Sequence, residues 1–143
     1  MLSVIEQVEN REQLKNIKAF EFNWDIASSH KALLFAAMVN KEIAGLVEFS
    51  REPIELFNFM HLIEVKEQFK GSSIAGELLA WVGLDSLNQG LDGFVVFESK
   101  SRYYQYYIQK YGAKPINFKR LFFDTQATKN LINTYLGGAY EPS

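Results

Sequence analysis

Cysteine is absent from these 143 residues, and histidine occurs only twice. Without thiols there is no disulfide framework, no thiolate nucleophile and no zinc–thiolate centre. The two histidines, at positions 30 and 61, stand far apart, so no metal site is expected. Charge of one sign is lacking too: 15 Lys and Arg face 17 Asp and Glu, for a net charge of −2. So balanced a chain has no basic field to hold a phosphate backbone, and no nucleic-acid partner is expected. No apolar run approaches the ~20 residues that cross a bilayer, so no membrane partner is expected. The opening MLSVIEQVENREQ carries acidic residues where a secretory leader has a basic head and an apolar core. A cytoplasmic location is therefore expected. Neither a Gly-x-Ser-x-Gly elbow nor a nucleoside-triphosphate phosphate loop occurs.

Apolar residues, by contrast, make up 48% of the chain and 21 aromatic rings lie among them, enough to build one packed domain over residues 1–143. Residues 2–8 alternate apolar and polar and predict a first strand. Asn10 then precedes REQLKNIKAF with Gln13 three residues on, a capping-box spacing that predicts a helix. Residues 20–31 show no clean period and read as an irregular connection. ALLFAAMV and IAGLVEFS, joined through Asn40, Lys41 and Glu42, form the clearest hairpin signal, over residues 32–51. Gly45 within it marks a bulge or a close backbone approach. Beyond Pro53, residues 55–65 (ELFNFMHLIEV) predict a third antiparallel strand.

A helix over 73–87 places Ile74, Leu78, Trp81, Val82 and Leu87 on one apolar stripe. The run GFVVFE, 93–98, reads as a strand covered on both faces. Arg102 to Tyr111 predicts a tyrosine-rich helix closed by Gly112. Residues 116–124 predict one or two strands, and 125–136 a last helix capped by Asp124 or Thr125 and stopped at Gly137 and Gly138. The five residues that follow are expected to be loose. Strands 55–65 and 93–98 enclose one helix and are expected to run parallel in an otherwise antiparallel sheet, a mixed α/β domain with helices on both faces.

The stretch that organises the chain is 60–79, MHLIEVKEQFKGSSIAGELL. A strand feeds a turn of small residues that opens a helix, the arrangement that presents backbone N–H groups and the positive end of a helix to a phosphate. In spacing it resembles the acyl-CoA signature of the GNAT superfamily of N-acetyltransferases. Val65 fills the valine place, Phe69 the aromatic, Lys70 the basic position and Gly71 the first glycine. Ser73 stands for the second glycine, Ala75 for the last small residue, and Leu78 and Leu79 are the paired leucines. The resemblance spans roughly residues 2–124.

The resemblance implies a single-domain GNAT-like fold, acetyl-CoA as cosubstrate and an amine acceptor, with transfer made directly between them. It implies that Ile63, Val65, Lys70, Gly71, Ser72, Ser73, Ala75, Ser101 and Tyr104 bind the cosubstrate, and that the Val65 N–H polarises the thioester carbonyl. A second family signature falls at 101–113 and is altered: Ser101 takes the asparagine place, Tyr104 the alanine place, and Ile108 the place of the tyrosine that protonates the leaving thiolate. Tyr107, Tyr104 and Tyr111 lie near enough to substitute, and Tyr107 is the candidate acid. His61, four residues before Val65, sits where arylalkylamine-type members carry a histidine, and its ordinary pKa near 6.5 suits a base. Glu64 is the second candidate base; strict alternation puts it on the face opposite His61 and Val65, unless a bulge intervenes. Glu98 and Ser99 are expected to line the acceptor pocket. A non-catalytic CoA-binding or protein-interaction module of the same fold is the alternative, and aromatic edges allow a homodimer.

Overall fold

The computed structural model describes residues 3–137. Seven strands form one sheet in the order β1-β2-β3-β4-β5-β7-β6. The strands are β1 (Val4–Gln7), β2 (Leu33–Val39), β3 (Glu42–Glu52), β4 (Phe57–Val65), β5 (Val95–Glu98), β6 (Lys114–Pro115) and β7 (Arg120–Phe123). The helices are α1 (Ile74–Asn88), α2 (Ser101–Tyr111) and α3 (Thr125–Tyr135). All pairings are antiparallel except β4–β5, the parallel pair that α1 joins. This is the expected mixed sheet. The expectation for the last five residues falls outside the described part of the chain.

Two buried clusters, one on each face, hold the sheet. Phe49, Met60, Val95, Phe97, Leu121 and Phe123 share one cluster with Ile74, Leu78 and Val82 of α1, Tyr111 of α2 and Leu131 and Ile132 of α3. Leu34, Ala36 and Leu46 form the other with Val8, Leu14 and Trp24. Burying a side chain of this size contributes about 1.5–3 kcal/mol, so both faces carry substantial stability.

Several elements differ from their sequence reading. The helix expected after Asn10 is a single 3-10 turn, Arg11–Leu14, and Asn10 caps it by accepting from the Glu12 amide rather than by a box with Gln13. Asn16 and Ala19 then adopt left-handed backbone (φ 59° and 68°), which no α-helix tolerates. This 3-10 turn and the irregular chain that follows cover the second face through Leu14 and Trp24. Positive φ also delays two strands: Leu56 holds back the start of β4, and Asp92 and Gly93 that of β5.

Helix α1 is not a one-sided stripe. Ile74, Gly76, Leu78, Leu79, Ala80, Val82, Gly83 and Leu84 are all buried, because the helix lies between the sheet and α3. Gly45 meets both halves of its expectation. Ala44 is an extra residue opposite the Ala37–Met38 step of β2, and a Cβ on Gly45 would stand 2.9 Å from both Ile74 and Leu78. Among the described residues, no helix is long and apolar enough to cross a membrane.

Candidate active site

Strand β4 keeps register with β5 only through Asn58, Phe59 and Met60, which pair with Val95, Val96 and Phe97. Beyond Met60 the two parallel strands diverge. On its other side β4 stays paired with β3 as far as Val65. The Lys66 amide donates to Ala44 O of β3, so alternation turns the Val65 and Ile63 N–H groups toward the opening that β5 has left. A cavity of about 550 Å³ fills that opening.

A bulge decides what faces it. Phe49 pairs with Met60 and Glu48 with Leu62, which leaves His61 as the extra residue of β4. The alternation is reset there. His61 and Glu64 therefore share one face of the sheet, and Ile63 and Val65 point to the face that carries α1. The regular alternation expected from sequence, with His61 beside Val65 and Glu64 opposite, is corrected by this single inserted residue. Both candidate bases line the cavity.

Their surroundings differ. His61 Nε2 lies 2.5 Å from Ser50 Oγ, and its ring makes an edge contact with Phe59. Burial holds its pKa below the usual 6.5, against the opposing pull of Glu48 and Glu52. His61 is thus neutral near pH 7, the state a base requires. Glu64, by contrast, accepts from Trp24 Nε1 at 2.8 Å and from the Glu21 and Phe22 amides at 2.6 and 3.2 Å. These bonds pin the irregular segment over the cavity mouth, where Glu21 and Phe22 become part of the wall.

The turn after β4 supplies the opposite wall. Gly71 has φ +84°, a conformation side chains resist, and the Ser72 hydroxyl accepts from the Ile74 amide while donating to Phe69 O. Gly71 and Ala75 line the cavity, and their amides find no acceptor among the described residues. Lys70 stands at this rim, its pKa raised by the hydrogen bond to Glu67. Ser73 lies off the wall and donates to Glu77, and Ser101 lies off the wall at the exposed start of α2.

Helix α2 closes the cavity with Tyr103, Tyr106, Tyr107 and Tyr111 and the cations Arg102 and Lys110, joined by Lys100 just ahead of the helix. Tyr107 packs its ring against Phe97, and burial pushes its phenol up to about 12. It stays protonated at neutral pH. Burial, then the hydrogen bond with Tyr106, raises Tyr111 as well. Tyr104 is turned away, with its hydroxyl donating to Asn117 O at 2.8 Å, and Ile108 packs into the core. Glu98 and Ser99 line the cavity, and Glu98 pairs with Arg120 at 3.1 Å. No group of His, Asp or Glu able to hold a metal occurs among the described residues.

The overall fold is shared with solved structures. The AtaTR complex bound with acetyl-CoA matches at a TM-score of 0.62, with 13% identity, over 90% of this chain and 97% of that one. The chain has the fold of the GNAT acetyltransferases. An acetyltransferase of the GNAT family from Staphylococcus aureus Mu50 matches at 0.59, with 12% identity, over 85% of this chain and 99% of that one. A Bacillus subtilis acetyltransferase in complex with CoA matches at 0.54, with 17% identity, over 66% and 77%. The sequence itself matches no family model and no curated protein. Identities this low establish the GNAT fold alone.

The cations Lys100 and Arg102, with Tyr106, escaped the sequence reading. Their spacing is that of any solvated helix face, and only the position of α2 across the cavity gives them a common target. Phe22 and Glu21 escaped it because they reach the site through Glu64, 42 and 43 residues on.

Proposed function

We propose that this protein is an acetyl-CoA-dependent N-acetyltransferase that acts on a primary amine of a small molecule or peptide by direct transfer. The observation that carries the reading is the cavity itself. It passes through the opening between β4 and β5 and joins an anion-ready turn on one side to a neutral histidine on the other. The unoccupied Gly71 and Ala75 amides, the start of α1 and Lys70, Lys100, Arg102 and Lys110 suit a pyrophosphate and its further phosphate. A volume of about 550 Å³ fits a thioester arm and a small acceptor.

In this reading the Val65 N–H, aimed into the opening, donates to the thioester carbonyl oxygen as negative charge grows there. His61 accepts the proton that the attacking amine gives up as its C–N bond forms. Tyr107 donates its phenolic proton to the sulfur as the C–S bond breaks, in place of the tyrosine missing at Ile108. Glu64 serves structure, since its three donors leave it holding the 21–24 segment. The AtaTR and Bacillus structures, which contain acetyl-CoA and CoA, support the choice of cosubstrate.

The test is acetyl transfer from acetyl-CoA to a panel of amines, followed by thiol release. His61→Ala is expected to lower kcat by about 10²–10⁴-fold, with KM for acetyl-CoA nearly unchanged. Full kcat in that variant overturns His61 as base. Acetyl-CoA binding with no transfer to any amine favours the non-catalytic module, for which the substituted tyrosine at Ile108 is the supporting feature.

A further inference from the structure

We propose that Ser50 is a positioning residue for His61, fixing which imidazole nitrogen serves as the base. The proposal rests on the reading of His61 above. The bulge that brings His61 into the cavity also lays its Nε2 2.5 Å from Ser50 Oγ on the neighbouring strand β3. Ser50 is fully buried, and its Oγ lies 3.4 Å from that of Ser29, in the segment that covers this face. A hydroxyl that donates toward Ser29 has its lone pairs free for the histidine. It then receives the Nε2–H, and the proton is excluded from Nδ1. The remaining nitrogen, Nδ1, keeps its lone pair for the acceptor amine.

The converse arrangement disables the base. With the proton on Nδ1 and Ser50 donating to Nε2, His61 has no lone pair left to offer. A single buried hydroxyl therefore selects the productive tautomer, as a carboxylate or carbonyl does beside other catalytic histidines. The same contact steadies the imidazolium formed when His61 takes the amine proton, because a bond from a charged donor is stronger than one from a neutral donor. The charged groups facing His61 are Glu48 and Glu52 of β3 and Lys31 ahead of β2. Beyond the neighbouring Phe59 ring stands Arg120 of β7. None of them is hydrogen-bonded to the imidazole.

Nitrogen-15 spectra of the imidazole, assigned by loss of the signal in His61→Gln, read the tautomer directly and need no substrate. In the full chain the neutral ring is expected as the Nε2–H form. Ser50→Ala is expected to give a mixture of both tautomers, a roughly 10-fold lower kcat with unchanged KM for acetyl-CoA, and an acid limb of the pH–rate profile moved to lower pH. Ser50→Thr, which keeps the hydroxyl, is expected to restore all three. An Nδ1–H tautomer in the unaltered protein overturns the proposal, as do a tautomer and pH profile unmoved by Ser50→Ala. Failure of the transferase reading looks different: the tautomer responds to Ser50 while no amine is acetylated.

Discussion

His61 is half-buried beside an apolar ring, and burial is the largest influence on it. Its folded pKa lies below the unfolded value of 6.5, so between those two values the unfolded chain binds more protons and stability rises with pH. The contribution is complete above 6.5 and is lost as pH falls through the folded pKa. His61→Gln, which cannot ionise, is therefore expected to flatten the fall in melting temperature between pH 7 and pH 5, followed by circular dichroism. A steeper fall in the variant contradicts the burial account. At this scale the sequence was legible in one respect: the single histidine of residues 57–65 does line the cavity. It was illegible for Glu64, because the donors that occupy it, the Trp24 indole and the amides of Glu21 and Phe22, lie 40 to 43 positions earlier in a segment without a period. It was illegible for Tyr104 as well, whose partner Asn117 sits in a turn past the helix.

The elements themselves were largely foreseeable, since the β2–β3 hairpin and the strand–turn–helix of 60–79 announce themselves by apolar runs and small residues. What sequence pattern does not give is a one-residue insertion. The β4 bulge at His61 leaves every apolar residue of 57–65 compatible with an unbroken strand, yet it moves Glu64 to the histidine's face. Nor does the pattern show what covers α1. Its small residues at 76 and 83 are contact points with α3, and a Cβ on Gly83 would stand 2.5 Å from Thr128 Cγ2 and 2.9 Å from its hydroxyl. Thr128 has no room to yield, because that hydroxyl donates to Gly93 O at 2.6 Å. Gly83→Ala gains helix propensity but is expected to cost a net ~1–3 kcal/mol of stability by overpacking, measured by denaturant titration. A stabilised variant contradicts the close approach of the two helices.

For the molecule as a whole, the order of strands and helices carried the fold, and the seven-stranded sheet with its one parallel pair follows from it. The cavity did not follow from the order. It depends on where the β4–β5 pairing ends, past Met60, and on where α2 carries Arg102 and Lys110, both matters of tertiary packing. The central claim is that this cavity takes acetyl-CoA, and calorimetric and thermal titration of the full chain tests it most directly. One equivalent is expected to bind, and at 100-fold excess over the dissociation constant to stabilise the fold by about 2.7 kcal/mol, a rise of roughly 10 °C in melting temperature. No heat and no shift at millimolar acetyl-CoA would contradict the account.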